Sequence, residues 1–239
     1  MSLMKRLAIR LGGQKTPAKS LVMPHRYSVI ERAAVYRAIA ERRDMRHFLP
    51  DAIPDEILQR VLHAAHQAPS VGLMQPWRFI RISDAGLRQQ IHALVDAERQ
   101  LTAQALGERD AEFLKLKVEG VRDCAELWVA ALMDQCESHM FGRRTLPEMD
   151  LASVACAIQN MWLAARAEGL GMGWVSLFDP QALANLLNIP AGGKPVAILC
   201  LRQVDEFYAA PMLQLEGWRT PQPLHEMLFE NRWDNSATP

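Results

Sequence analysis

The residues best suited to chemistry in this sequence form a short basic cluster, Arg42-Arg43-Asp44-Met45-Arg46. Three guanidinium groups lie within five residues, and arginine is the side chain best adapted to bidentate contact with phosphate. An anion-binding pocket is one interpretation of this cluster. The other is that arginines at the end of a helix complement the helix dipole on a solvated face. The residue types alone leave both interpretations open.

Two further segments have the composition of ligand-binding loops. The first, 68–77, holds Ser70 and Gln75 between two prolines; such a loop can bind a flat polar ring by hydrogen bonds, or it can be a stiff connector. The second is Gly171-Met172-Gly173-Trp174-Val175-Ser176, whose glycines permit close approach to the backbone. It lacks both the G-x-G-x-x-G fingerprint and the G-x-S-x-G elbow. A nicotinamide Rossmann site and a serine hydrolase are therefore disfavoured.

The bulk composition limits the class of protein. The chain has 239 residues, of which 49% are hydrophobic and 23% charged, and its formal net charge is +0. These values predict a globular protein without a global attraction to nucleic acid or anionic lipid. No apolar run is long enough to predict a membrane span, and the four cysteines form no C-x-x-C pair, which favours free thiols in a reducing cytoplasm. His63 and His66 share a helical face without a further ligand, so no metal site is predicted.

Periodicity and capping residues predict helices that alternate with single strands around one sheet, an α+β arrangement. Ser28 and Glu31 form a capping box for the first helix, Gly107 is a break between two helices, and Asp179 is an N-cap. One domain is predicted from Tyr27 to Trp233, preceded by a basic extension, 1–26, and followed by a tail, 234–239. Strands are predicted at 77–82, 127–133, 171–178 and 196–201.

In their order and approximate spacing, these segments resemble flavoproteins of the nitroreductase superfamily. Those proteins carry an R-R-S-x-R-like motif, a P-S-x-x-N-x-Q-P-W-like loop and, after a long core helix, a G-x-G strand. Asp44 stands at the serine and Leu73 at the asparagine of these motifs, and both changes are similar to the 5,6-dimethylbenzimidazole synthase (BluB) branch. Four further stretches of the chain resemble the same branch: 31–39, 66–72, 160–169 and 173–176. The resemblance extends over about Tyr27 to Trp233.

The resemblance implies a three-layer fold with a central mixed β-sheet flanked by helices, and an intertwined homodimer with FMN sites at its interface. It further implies that reduced FMN is a substrate, which dioxygen fragments to 5,6-dimethylbenzimidazole, the lower ligand of vitamin B12, and erythrose 4-phosphate. Reduced flavin would come from NAD(P)H and a separate reductase. Two alternatives stay open. One is an NAD(P)H-dependent FMN nitroreductase or flavin reductase, which Asp44 and Leu73 disfavour; the other is a binding protein that handles flavin or haem without catalysis.

The resemblance also assigns roles to individual residues. Asp44 is expected to be the catalytic acid or base, with its arginine neighbours favouring the carboxylate, and Ser176 to bond near the flavin ring. A lid near Lys115 to Gly120 is expected to exclude water, although a plain amphipathic helix is the alternative. Phosphate contacts are expected from Arg42, Arg43, Arg46 and, more weakly, Arg219, and flavin contacts from Pro69, Ser70, Gln75, Gly173 and Trp174.

Overall fold

A computed structural model describes residues 25–117 and 120–233 of the chain. The predicted tail, 234–239, and most of the predicted basic extension, 1–24, lie outside these residues. In chain order the helices and strands are α1 (Val29–Glu41), α2 (Asp55–His66), β1 (Trp77–Arg81), α3 (Ala85–Leu106), α4 (Asp110–Lys115), β2 (Glu126–Leu132), α5 (Met149–Ala167), β3 (Leu170–Val175), α6 (Pro180–Leu186), β4 (Lys194–Gln203) and α7 (Met212–Leu215).

Helix boundaries follow the local signals in the sequence. The chain divides after Val35 into two compact units. In the described part of the first unit, the Ser28 amide donates to Glu31 Oε2 at 2.9 Å, and Ser28 Oγ accepts from the Glu31 amide at 3.3 Å. This confirms the predicted capping box. The predicted N-cap Asp179 accepts from the Ala182 amide at 2.6 Å, and Gly107, with φ +57°, separates α3 from α4 as predicted.

The four strands form one sheet in the order β1-β2-β4-β3, and every neighbouring pair is antiparallel. The resemblance had implied a mixed sheet. Strands β2 and β3 do run in the same direction, but β4 lies between them, so they never pair. Among the described residues, parallel pairing is confined to an isolated bridge between Asp44 and Met172.

Helices cover both faces of the sheet, as the expected three-layer fold requires. Alternate residues of a strand point to opposite faces: in β2, Trp128 packs with α2 and α5, whereas Leu127 and Val129 pack with α3 and α6. Burial on both faces explains why β2 and β4 are nearly continuous apolar runs in the sequence. No helix within the described residues is long and apolar enough to cross a membrane.

Candidate active site

The segment Asp44–Arg46 lies along the edge strand β3. Asp44 bridges to Met172 in parallel, and the Met45 amide donates to the Met172 carbonyl at 3.0 Å. The Met45 side chain is buried, so the apolar core anchors the middle of the segment. The charged side chains of Asp44 and Arg46 are thereby held next to the C-terminal half of β3.

Glycines in β3 make this close approach possible. A Cβ atom built on Gly173 would lie 2.5 Å from the Met45 carbonyl oxygen and 2.6 Å from Arg46 Nη1, distances that real Cβ atoms do not adopt. A Cβ on Gly171 would collide with the side chain of Val204. The sequence predicted that another group approaches the backbone at these glycines. At Gly173 that group belongs to the chain itself.

Asp44 is held by two partners. Its Oδ1 accepts from the Trp174 amide at 2.9 Å, and its Oδ2 forms an ion pair with Arg46 Nη2. Burial raises the pKa of Asp44, and this effect exceeds the opposite effects of Arg46, the Trp174 amide and Arg42. The side chain keeps 40% of its surface accessible, but protein atoms packed around the carboxyl remove much of its hydration. The arginines favour the carboxylate, as expected, but burial outweighs them and the pKa of Asp44 is raised overall.

Arg46 is a buried cation whose hydrogen bonds are incomplete. The residue is only 6% exposed, and its Nη2 donates to Asp44 and to the Trp174 carbonyl, the latter at 3.0 Å. Its Nε and Nη1 have no hydrogen-bond partner among the described residues. Buried donors without partners are costly unless a ligand, ion or water satisfies them. The residue therefore fits an anionic group, such as a phosphate, beside β3.

Arg42 and Arg43 lie at the same junction but point to different surroundings. The Arg42 guanidinium stacks on the Trp162 ring, 4.4 Å from its centroid, and partial burial lowers the pKa of Arg42 from its usual value. The Arg43 guanidinium instead donates to backbone carbonyls, including Tyr208 at 3.0 Å and Ala209 at 3.1 Å. Arg42 is thus available to an anion, whereas Arg43 is engaged in holding the backbone.

The predicted flavin-contacting loop around Ser70 and Gln75 is not near Asp44 in one chain. It precedes β1, which forms one edge of the sheet, while Asp44 lies beside β3, the strand at the other edge. Three strand spacings of about 4.8 Å place the two edges roughly 14 Å apart. Pro69 is exposed at the start of the loop. The structure therefore brings together Asp44 and its arginines but not the two halves of the predicted site.

The Ser70–Gln75 loop is held in an uncommon backbone conformation. Gly72 and Leu73 both have φ +53° and Gln75 has φ +48°, in the left-handed region that bulky residues rarely adopt. The Ser70 hydroxyl accepts from the Gln75 amide at 3.0 Å, and Ser153 Oγ accepts from the Val71 amide at 3.0 Å. Sequence reasoning missed Ser153. A buried serine within the apolar stripe of α5 was the signal that could have identified it.

Leu73 offers a test of whether this loop conformation serves function. It is 81% exposed, so its side chain contributes little to the core, while asparagine tolerates a left-handed backbone better than leucine. We expect Leu73→Asn to raise the free energy of unfolding by about 0.5–1 kcal/mol and to lower product formation. Urea unfolding and an activity assay measure the two effects. A variant that is less stable than the wild type would show that leucine at this left-handed position does not strain the backbone.

The remaining predicted residues lie near α4. Ser176 is exposed just after β3, and no described residue bonds to its hydroxyl; the adjacent Leu177 packs on the α4 cluster of Phe113 and Leu116. Arg219 follows Trp218, whose ring packs against Phe113. These contacts place Ser176 beside α4, which ends at Lys115, the first residue of the predicted lid.

The predicted lid, Lys115–Gly120, is described only in part, since residues 118 and 119 lie outside the described ranges. At the end of this segment, a Cβ on Gly120 would lie 2.5 Å from Phe48 Cε2, so Gly120 packs against the residues that follow Arg46.

A surface cavity of about 620 Å³ lies elsewhere, at the start of α3, and its lining includes none of the predicted site residues.

Comparison with known proteins identifies the family of this arrangement. The Nitroreductase family matches residues 39–201. A curated protein of Rhodospirillum rubrum, named 5,6-dimethylbenzimidazole synthase, is 43% identical over 187 residues, which cover 76% of this chain and 87% of that protein. A protein of the same name from Rhodobacter capsulatus is 38% identical, with 80% of this chain and 94% of that protein covered.

Solved structures agree with this assignment at the level of the fold. The structure of oxidized iodotyrosine deiodinase bound to FMN and 3-iodo-L-tyrosine superimposes with a TM-score of 0.63 at 20% identity. The match covers 84% of this chain and 99% of that one. The matched residues, 39–201, contain Asp44, Arg46, the Ser70–Gln75 loop and all of β3. The chain belongs to the nitroreductase family.

Proposed function

We infer that this chain is a 5,6-dimethylbenzimidazole synthase, which fragments reduced FMN with dioxygen to 5,6-dimethylbenzimidazole and erythrose 4-phosphate. The relatives that carry this name match most of the chain at 35–43% identity. The structural observation that carries the proposal is the carboxyl of Asp44 beside the buried guanidinium of Arg46. Asp44 occupies the position at which the general nitroreductase motif has a serine.

The anion-binding part of the site is proposed to consist of Arg46 and Arg42. Arg46 has two buried donors without a described partner, and Arg42 presents a guanidinium that is stacked on Trp162. Both fit the phosphate of FMN because a charge-assisted hydrogen bond satisfies a buried donor. Arg43 is proposed to position the backbone, since its donors already bind carbonyls. Arg219 stays a weaker phosphate candidate beside α4.

The catalytic part of the site is proposed to consist of Asp44 and Ser176. Reduced FMN supplies the atoms of the product and dioxygen is the oxidant, so the chain itself has to position groups and move protons. The raised pKa of Asp44 brings its proton equilibrium closer to neutral pH, which suits a group that both accepts and donates protons. Ser176 follows Trp174 by two residues and is proposed to donate a hydrogen bond near the ring. The α4 segment is proposed to exclude water.

We propose that the chain forms a homodimer in which the second copy completes the site. The Ser70–Gln75 loop and Asp44 lie at opposite edges of one sheet, so a flavin held at one Asp44 would meet the loop of another subunit. Large apolar side chains near the loop are exposed in the single chain, among them Leu73 at 81% and Phe141 at 84%. Exposed apolar residues of this kind are typical of a surface that a partner covers.

Mixed dimers test this arrangement. Asp44→Asn and Ser70→Ala are each expected to lose most of the activity as homodimers. A mixed dimer, purified through two different affinity tags, holds one site with both changes and one with neither. We therefore expect it to regain about half of the wild-type rate. A mixed dimer that is as inactive as either parent would show that both residues serve the same subunit's site.

The proposed reaction is tested by an aerobic assay. The protein is mixed with FMN, NADPH and a separate flavin reductase, and the products are identified by mass. Appearance of 5,6-dimethylbenzimidazole with matching loss of FMN supports the proposal. Steady reduction of a nitroarene or quinone by NAD(P)H with intact FMN would support the nitroreductase alternative instead. A protein that binds FMN but consumes neither substrate would point to a binding function.

A further inference from the structure

Tyr208, in the connection after β4, contacts the site segment through both its backbone and its side chain. Its carbonyl accepts from Arg43 Nε at 3.0 Å, and its hydroxyl accepts from the Arg46 amide at 3.3 Å. The same hydroxyl lies 2.6 Å from His47 Nδ1, and the two rings meet edge to face with centroids 6.1 Å apart. These contacts join residues that are 161 to 165 positions apart in the sequence.

The directions of the backbone amides explain why the Asp44–Arg46 segment needs a hydrogen-bond acceptor on the side that faces away from β3. In extended backbone, successive amides point to opposite sides. The Met45 amide points to β3 and bonds Met172, so the Arg46 amide points away from the sheet. There it meets the Tyr208 hydroxyl. The phenol therefore supplies, on the outer side of the segment, the acceptor that a neighbouring strand would supply in a regular sheet.

His47 completes the arrangement. A phenol oxygen that accepts from the Arg46 amide can still donate its own hydrogen to an unprotonated Nδ1, which orients the hydroxyl. His47 directly follows Arg46, so the phenol of Tyr208 contacts two successive residues of the segment.

We propose that Tyr208, oriented by His47, is a positioning residue that holds Asp44 and Arg46 in place for catalysis. Among the described residues, its hydrogen bonds reach the Arg46 amide, the Arg43 guanidinium and the His47 ring, but not the Arg46 guanidinium or the carboxyl of Asp44. It therefore acts on Asp44 and Arg46 by fixing the backbone of the segment. The kinetic part of this inference rests on the proposed function. The structural part, that the Tyr208 hydroxyl secures the Arg46 amide, stands on the contacts alone.

The structural part is tested by hydrogen exchange of the intact protein, followed by mass spectrometry of peptides that contain Arg46. Tyr208→Phe removes only the hydroxyl, and we expect the Arg46 amide to exchange about five- to tenfold faster, as for the loss of one hydrogen bond. Tyr27→Phe is the matched control, because Tyr27 is exposed. Equal exchange of Arg46 in Tyr208→Phe and wild type would overturn the proposal.

The kinetic part is tested by separating turnover from binding. We expect Tyr208→Phe to lower kcat for 5,6-dimethylbenzimidazole about tenfold, with the FMN Kd changed less than about threefold, because the guanidinium groups are retained. His47→Ala should share this loss. His47→Asn should recover most of the rate, since its Oδ1 can take the place of Nδ1 as acceptor.

The outcomes separate the two proposals. Equal losses in kcat and in FMN affinity, or no recovery in His47→Asn, would overturn the positioning role. A wild-type protein that forms no product would overturn the proposed function, and the exchange rate of Arg46 would still decide whether Tyr208 secures the segment.

Discussion

Asp44→Asn is expected to lower the rate of 5,6-dimethylbenzimidazole formation by about 10²- to 10⁴-fold, the usual contribution of a general acid or base. Asparagine cannot take up a proton, but its side-chain oxygen can still accept from the Trp174 amide, as Oδ1 of Asp44 does. We expect FMN affinity to be kept or increased, because a negative charge is removed beside the phosphate contacts. Chemically reduced FMN, air and mass detection of the product measure the rate.

The pH dependence of the wild-type rate provides a second check on Asp44. A carboxyl that acts as base must be ionised, so the rate should fall as pH falls through its pKa. Because burial raises the pKa of Asp44, this fall should occur at higher pH than for an exposed carboxyl, and Asp44→Asn should lack it. Asp51→Asn, at an exposed position, is the matched control. If Asp44→Asn lost FMN binding as well as product formation, Asp44 would instead be a binding residue.

Gly173→Ala is the substitution with the largest expected structural effect. The new Cβ would lie 2.5 Å from the Met45 carbonyl oxygen. The position of a Cβ is fixed by its own backbone and the oxygen belongs to the backbone of Met45, so no side-chain rotation relieves the contact. The segment from Asp44 to Arg46 has to move away from β3, which breaks the Asp44–Trp174 hydrogen bond. We expect product formation below about 1% of wild type and a loss of about 1–3 kcal/mol in the free energy of unfolding.

Urea unfolding measures the loss of stability, and the aerobic assay with mass detection measures product formation. Gly86→Ala is the control, since a Cβ there meets only the Asp84 carboxylate, at 3.3 Å, and Gly86 has no positive φ. We expect it to keep the activity of the wild type. A Gly173→Ala protein with wild-type FMN affinity and turnover would show that the close approach of the Asp44 segment to β3 is not required.

Several features of this fold are encoded locally and were predictable. The capping box of Ser28 and Glu31, the N-cap Asp179 and the break at Gly107 each depend on residues within a few positions of one another. The order of the motifs was likewise sufficient to indicate the family, which the match to residues 39–201 confirms. For the segment with Asp44, the residue types alone left an anion-binding pocket and a solvated helix end both open.

Other features depend on residues that are distant in the sequence. Arg42 and Arg43 are adjacent and chemically identical, but one stacks on Trp162 and the other binds the Tyr208 carbonyl. The sequence contains no signal for this division. Ser153 and Tyr208, which hold the two halves of the site, were missed for the same reason.

The amino-acid sequence specifies which groups are available at the candidate site: a carboxyl among three arginines, two glycines in a later strand, and a polar loop between prolines. The surroundings of these groups depend on how the whole chain folds. The pKa of Asp44 rises because distant segments pack around the carboxyl and remove water, an effect that outweighs the nearby arginines. The glycines accommodate the Asp44 segment, and the loop lies at the far edge of the sheet, because strand order is decided by packing across the whole chain.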